Sequence, residues 1–200
     1  MAKKIHFLYG TMGSAKTLRL LTTAYNFEEK GIPFIVLKPS KDTRDGDNVI
    51  KSRIGLSREC VVVDVNTNIF VSIAEYQHVL SEQNKKLQWI LVDECQFLTE
   101  KQIDELVECV DELEVNVMCY GLRTDFKSKL FPASKRLFEI ADEIEEIKST
   151  CSCGRKTSIN ARFDEYGNIV KDGEQIMVGG NDLYRPLCRR CWKKLCNALK

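Results

Sequence analysis

The residues best suited to chemistry come in three groups. The first is Gly10-Thr11-Met12-Gly13-Ser14-Ala15-Lys16-Thr17, which nearly matches the phosphate-binding pattern G-x-x-x-x-G-K-[ST]. Such a loop turns successive backbone N–H groups inward, and the following helix adds the positive end of its dipole. Lys16 would then reach the β- and γ-phosphates, and the Thr17 hydroxyl would ligate Mg²⁺. Ala15 stands where the pattern has glycine; if the backbone there is left-handed, alanine costs about 1–2 kcal/mol. The second group is Asp93-Glu94, directly after the apolar run Trp89–Val92. An aspartate at a strand end is how phosphate-loop proteins hold Mg²⁺, and a glutamate one residue on is placed to act as a general base. The third group is Cys151-x-Cys153 with Cys188-x-x-Cys191. Two closely spaced thiol pairs supply the four tetrahedral ligands of a structural Zn²⁺, with the intervening loop closed between them.

These groups need elements to position them. Ile5–Tyr9 reads as a strand, Gly10–Lys16 as a loop, and Thr17–Lys30 as a helix with Leu18, Leu21 and Tyr25 on one face and Gly31 as its stop. Phe34–Leu37, Val61–Val65, Trp89–Val92 and Val115–Tyr120 are further apolar strand-like runs, and Ile69–Leu80 reads as a helix. Thr99-x-x-Gln102 is a capping box ahead of Ile103, Leu106, Val107 and Val110. Continuous apolar strands alternating with helices predict an α/β fold, a phosphate-loop type of parallel sheet with helices on both faces. The acidic stretch Glu139–Glu146, with Ile140, Ile144 and Ile147 in and around it, reads as a half-buried element with a solvated face. After Lys148 the chain becomes polar and cysteine-bearing, with little to build a core and hence in need of a staple. The expected organisation is residues 1–148 as the phosphate-loop sheet domain and 149–200 as a small zinc-binding domain with a C-terminal tail.

Composition sets bounds. Thirty Lys and Arg against 29 Asp and Glu leave a net charge of +1 in 200 residues, which gives no footprint for extended nucleic-acid binding. Apolar residues make up 44%, enough for a core. No run approaches a membrane span, and the N-terminal apolar stretch is too short for a secretory signal. Nine cysteines without such a signal point to a reducing, cytoplasmic setting in which Cys109 and Cys119 are core thiols and Cys196 has no special role.

Taken together the chain resembles the type II thymidine kinases of bacteria and viruses along nearly its whole length. The carrying segments are Gly10–Thr17, Lys41-Asp42-Thr43-Arg44, Ser52-Arg53-Ile54-Gly55-Leu56, Leu91–Leu98 and Tyr120–Phe126, with Val178-Gly179-Gly180, Tyr184 and the cysteine pairs. The resemblance implies ATP-dependent phosphorylation of the thymidine 5′-hydroxyl, with Glu94 as catalytic base. It implies nucleotide and metal contacts from Gly10–Thr17, Asp42, Arg44, Asp93, Glu94, Cys95 and Gln96. It places Met12, Leu122 and Phe126 around the thymine ring, under a zinc-held loop comprising Gln175, Ile176, Met177, Val178, Gly179 and Tyr184 that reads the base largely through backbone groups. It also implies a homotetramer. Because the phosphate loop is expected in the other lobe, loss of the staple is expected to disturb the thymidine site more than the ATP site. Two rival readings stay open from the residues alone: a phosphate-loop ATPase in which Glu94 orients water, and a zinc ribbon binding nucleic acid through Arg189, Arg190, Lys193 and Lys194. Within the kinase reading, deoxyuridine is a further substrate.

Overall fold

The computed structural model describes residues 2–42, 46, 48–175 and 183–198. In chain order the elements are β1 (Ile5–Tyr9), α1 (Lys16–Glu29), β2 (Phe34–Pro39), β3 (Val49–Lys51), β4 (Ser57–Glu59), β5 (Val61–Val63), α2 (Ile69–Glu82) and β6 (Trp89–Val92). They continue with α3 (Glu100–Glu112), β7 (Asn116–Gly121), α4 (Pro132–Ile140), β8 (Glu143–Glu146), β9 (Ile159–Phe163), β10 (Ile169–Val170), β11 (Tyr184–Leu187) and α5 (Arg189–Ala198). Six strands form one parallel sheet in the order β5-β2-β6-β7-β1-β8.

The strands are apolar on both sides because both faces are covered. Phe7, Leu37, Ile90, Val92 and Val117 meet Ile73 of α2, Ile103 and Leu106 of α3 and Leu137 of α4. On the opposite face Leu8, Val36, Leu91 and Tyr120 meet Leu20, Leu21 and Ala24 of α1. The capping box at Thr99 is formed in both directions, Thr99 Oγ1 accepting from Gln102 N at 3.1 Å and Gln102 Oε1 from Thr99 N at 3.0 Å. Gln102 then uses its Nε2 to bind the carbonyls of Asp64 and Thr67, which anchors the entry to α2.

Three readings of the sequence need correction. The inner face of α1 runs through Leu20, Leu21 and Ala24, with Phe27 packed beside them, whereas Tyr25 is 57% exposed. The stripe Leu20–Ala24–Phe27 has the i, i+4, i+7 spacing of one helix face, and Tyr25 lies off it. The acidic stretch divides into the end of α4 and the edge strand β8, whose residues are mostly exposed. Its carboxylates pair outward, Glu143 with Lys4, Glu145 with Arg19 and Glu146 with Lys156, and a charged edge resists pairing with other chains. The C-terminal segment also has a small core of its own: β10-β9-β11 form a three-stranded antiparallel sheet. Ala161, Phe163, Ile169 and Cys196 are buried together beneath it, so Cys196 packs a core. The short β3–β4 hairpin and α4 have no counterpart among the predicted elements.

Ala15 precedes α1 with φ 63° and ψ 28°, in the left-handed region, and its methyl side chain caps nothing. An L-residue with a Cβ is strained there. Replacement by glycine removes that strain but adds freedom to the unfolded chain. Ala15→Gly is therefore expected to raise the unfolding free energy by about 0.5–1 kcal/mol, read from urea titrations with unchanged slope. A loss of stability would show that the methyl group contributes packing that outweighs the strain.

Candidate active site

The phosphate loop leaves β1 at Tyr9 and enters α1 at Lys16. Gly13 and Ala15 both have positive φ, 73° and 63°, which alternates the backbone and directs N–H groups into a concavity suited to anions. Gly10 leaves no room for a side chain, since a Cβ would lie 2.6 Å from the carbonyl oxygen of Ile147. Lys16 is buried and donates from Nζ to the Thr11 carbonyl at 3.0 Å. The hydroxyl of Thr17, in the first turn of α1, donates to Asp93 Oδ2 at 2.9 Å.

Asp93 and Glu94 follow β6 and are 2% and 8% exposed. Burial, together with the adjacent Glu94, pushes the Asp93 carboxyl up to about 7, against the hydrogen bond from Thr17 and the charge of Lys16. Its Oδ1 is buried with no hydrogen-bond partner among the described residues. Such an oxygen beside the Thr17 hydroxyl is the donor set a hard divalent cation takes, and Asp93 and Thr17 fit Mg²⁺. Glu94 has φ 47° and ψ 39°, a backbone state that costs a non-glycine residue about 1–3 kcal/mol and tends to sit at working sites.

Gln96 holds Glu94 in place. Its Nε2 donates to Glu94 Oε2 at 2.5 Å, and its Oε1 accepts from Leu122 N at 2.9 Å. One buried amide thus fixes the carboxylate and the start of the segment 122–126. Gly121 makes this possible, because a Cβ there would come 2.8 Å from Gln96 Oε1 and 2.5 Å from Cys95 Sγ. Cys95 faces the core, hydrogen-bonded to Cys119, and its burial pushes the thiol well up. The structure therefore turns the Cys95 side chain away from the cleft, and gives Gln96 an orienting contact with Glu94.

These groups open onto a cleft of about 540 Å³. It is lined by Met12, Lys16, Thr17, Asp93 and Glu94, by Asp42 with Ser52, Arg53 and Ile54 of the β3–β4 hairpin, and by Leu122, Phe126, Gln175 and Tyr184. The predicted contacts Met12, Asp42, Leu122, Phe126, Gln175 and Tyr184 are thus brought to one cavity. Arg44 and Ile176, Met177, Val178 and Gly179 lie outside the described residues. Sequence reasoning missed Arg162 and Asn160 of β9. The Arg162 guanidinium lies 3.9 Å from the centre of the Phe126 ring and donates to the carbonyls of Asp172 and Glu174. No local pattern marks it, because it acts on a residue 36 positions away.

The Sγ atoms of Cys151, Cys153, Cys188 and Cys191 lie within 4.8 Å of one another, and they form the one such cluster among the described residues. Backbone N–H groups of Cys153 and Cys188 draw the Cys151 thiol down to about 6, and the Cys191 N–H lowers Cys188. Thiolate-favouring sulfurs at this spacing fit a tetrahedral Zn²⁺ with Zn–S bonds of about 2.3 Å. Cys191 is pushed up to about 12 by its hydrogen bonds with the Cys153 and Cys188 sulfurs and by burial.

The C-terminal segment and the phosphate loop are in direct contact. Thr11 Oγ1 is 2.9 Å from Ser149 Oγ and 2.7 Å from Thr157 Oγ1, and Asn160 Oδ1 accepts from Met12 N at 2.8 Å. Two hydroxyls from the segment before β9 and one asparagine on β9 thus satisfy the back of the loop.

The family described as thymidine kinase matches residues 3–192. A thymidine kinase of Pasteurella multocida is 44% identical over 191 residues, covering 96% of this chain and 97% of that one. Those of Agrobacterium fabrum and Yersinia pseudotuberculosis are 43% and 42% identical over 194 and 195 residues, covering 97% and 98% of this chain and 98% and 97% of theirs. A match spread over almost every position, from the phosphate loop through the carboxylate pair to the paired cysteines, leaves one assignment: the chain belongs to the thymidine kinase family.

Proposed function

We propose that this chain transfers the γ-phosphoryl group of ATP to the 5′-hydroxyl of thymidine, with deoxyuridine as a second substrate. The observation that carries the reading is the Gln96 bridge, which ties the carboxylate of Glu94 to the backbone of the segment bearing Leu122 and Phe126. A carboxylate registered against a nucleoside-sized pocket serves a kinase, whereas an ATPase has no need of that register. The family membership supports the same substrate.

Phosphoryl transfer rests on positioning and charge neutralisation. The loop Gly10–Thr17 cradles the phosphates, and Lys16, released from the Thr11 carbonyl, turns its ammonium to the phosphate oxygens. Asp93 and the Thr17 hydroxyl would hold Mg²⁺, with Asp42 lining the same cavity and Arg44 contacting phosphate oxygens as the resemblance implies. When bound, the ion neutralises phosphate charge and lowers the barrier to transfer. Glu94 accepts the proton of the 5′-hydroxyl as its oxygen closes on the γ-phosphorus. Met12, Leu122 and Phe126 wall in the base, and residues 149–200 act as a lid, with Gln175 and Tyr184 in the same cavity and Ile176, Met177, Val178 and Gly179 contacting the nucleoside as the resemblance implies. The lid excludes water that would otherwise take the phosphoryl group. Zn²⁺ in the cage Cys151, Cys153, Cys188 and Cys191 is structural, with four protein ligands and no open position. The assembly is a homotetramer, as the resemblance implies. A cytoplasmic setting agrees with nine free cysteines and with the lack, among the described residues, of a helix long and apolar enough to cross a membrane.

Glu94→Gln should keep the affinities for ATP and thymidine while lowering turnover by about 10²–10⁴-fold, measured as thymidine-dependent ADP release. Near-wild-type turnover would remove Glu94 from the role of base.

Cys188→Ser should release zinc, read by elemental mass spectrometry, and should raise the KM values of thymidine and ATP together. The contacts of Thr11 and Met12 with the lid require this joint effect. An unchanged KM for ATP in a zinc-free variant would show that the phosphate loop stands without the lid.

A further inference from the structure

The cleft has a phosphate end and a nucleoside end, and one side chain touches the backbone of both. Asn160, in β9, is 4% exposed. Its Oδ1 accepts from the N–H of Met12 in the phosphate loop at 2.8 Å, and its Nδ2 donates to the carbonyl of Thr124 at 3.1 Å. These partners fix the amide orientation, since a backbone N–H requires the oxygen and a carbonyl requires the NH₂. Met12 is 148 positions away in the chain and Thr124 is 36 away. Thr124 itself lies between Leu122 and Phe126, which line the nucleoside end.

We propose that Asn160 is a positioning residue that couples occupancy of the phosphate loop to occupancy of the nucleoside pocket. The inference rests on the kinase reading above and assigns a regulation of that same site. A planar amide cannot move one end without the other, and at this depth neither end can exchange its partner for water. A phosphate settling on the loop draws the Met12 backbone into its bound position and carries Asn160 with it. Through Nδ2 the carbonyl of Thr124 follows, and the segment carrying Leu122 and Phe126 closes toward the base. Thymidine drives the same chain in reverse. The two ligands must therefore strengthen each other by one common factor. The hydroxyl group of contacts among Thr11, Ser149 and Thr157 holds the lid to the loop but has no bond to the 122–126 segment, so it attaches without coupling.

The test is calorimetry on the zinc-loaded enzyme. The Kd of thymidine is measured with and without a saturating non-hydrolysable ATP analogue plus Mg²⁺, and the Kd of the analogue with and without thymidine. In the wild type both ratios should agree and be about fivefold or more. In Asn160→Leu both should fall to within about twofold of unity, with zinc content unchanged. Asn160→Asp, which keeps an acceptor for Met12 but sets an oxygen against the Thr124 carbonyl, should lose coupling too, and carries the test alone if the leucine variant fails to fold. Thr157→Val should keep the coupling. Residual coupling at the wild-type factor in the Asn160 variants, a wild-type ratio of one, or equal loss in Thr157→Val would each overturn the proposal. A wild-type enzyme that phosphorylates no thymidine would instead overturn the kinase reading on which it rests.

Discussion

Two carboxylates buried side by side at the end of β6 set the terms for the rest of the molecule. Asp93 and Glu94 are almost fully out of water, and burial together with the adjacent Glu94 opposes the ionisation of Asp93. The fold meets this with cationic and hydrogen-bonding groups brought from elsewhere: Lys16 and Thr17 at the start of α1, and Gln96 from the turn after β6. The parallel sheet is what brings them together, since β1 and β6 both flank β7 and deliver their loops to the same carboxyl-terminal edge. Ligands in open α/β sheets bind at that edge for the same reason. The Asp93 Oδ1 left without a hydrogen-bond partner among the described residues, beside the Thr17 hydroxyl, fits a divalent cation, which would complete the neutralisation.

The C-terminal segment meets a different problem. Among the described residues, the cluster of Ala161, Phe163, Ile169 and Cys196 gives it little hydrophobic stabilisation to hold it against the sheet. Four cysteines at its base lie close enough to share one metal ion, and two hydroxyls and one asparagine join it to the back of the phosphate loop. Arg162 adds a third attachment, covering Phe126 on one side while ordering the carbonyls that lead to Gln175. The phosphate loop, the 122–126 segment and the cysteine cluster thus share one framework.

What the sequence revealed follows the range of the interactions involved. The strand–loop–helix of the phosphate site, the carboxylate pair after an apolar strand, the Thr99 capping box and the paired cysteines are legible because each is encoded within a few residues. The inner face of α1 was misread because Tyr25 continues an apolar spacing that only the packing of Leu20 and Ala24 against β7 and β2 excludes. The hairpin β3–β4 is short and carries charged residues, so no periodicity announces it. Asn160, Arg162 and the contact of Gln96 with Leu122 are invisible for a stricter reason: each acts on a partner that the chain reaches only after folding. Ala15 is the opposite case, a local mismatch whose left-handed backbone is what the phosphate-loop pattern requires.

The central claim is that the site delivers phosphate to a nucleoside and withholds it from water. Incubating the purified protein with γ-labelled ATP, Mg²⁺ and a panel of nucleosides, and following the label, tests this directly. The account predicts label on the 5′-phosphate of thymidine, less on that of deoxyuridine, almost none on purine nucleosides, and little ATP turnover without a nucleoside. Release of labelled inorganic phosphate at the same rate whether or not thymidine is present would contradict it.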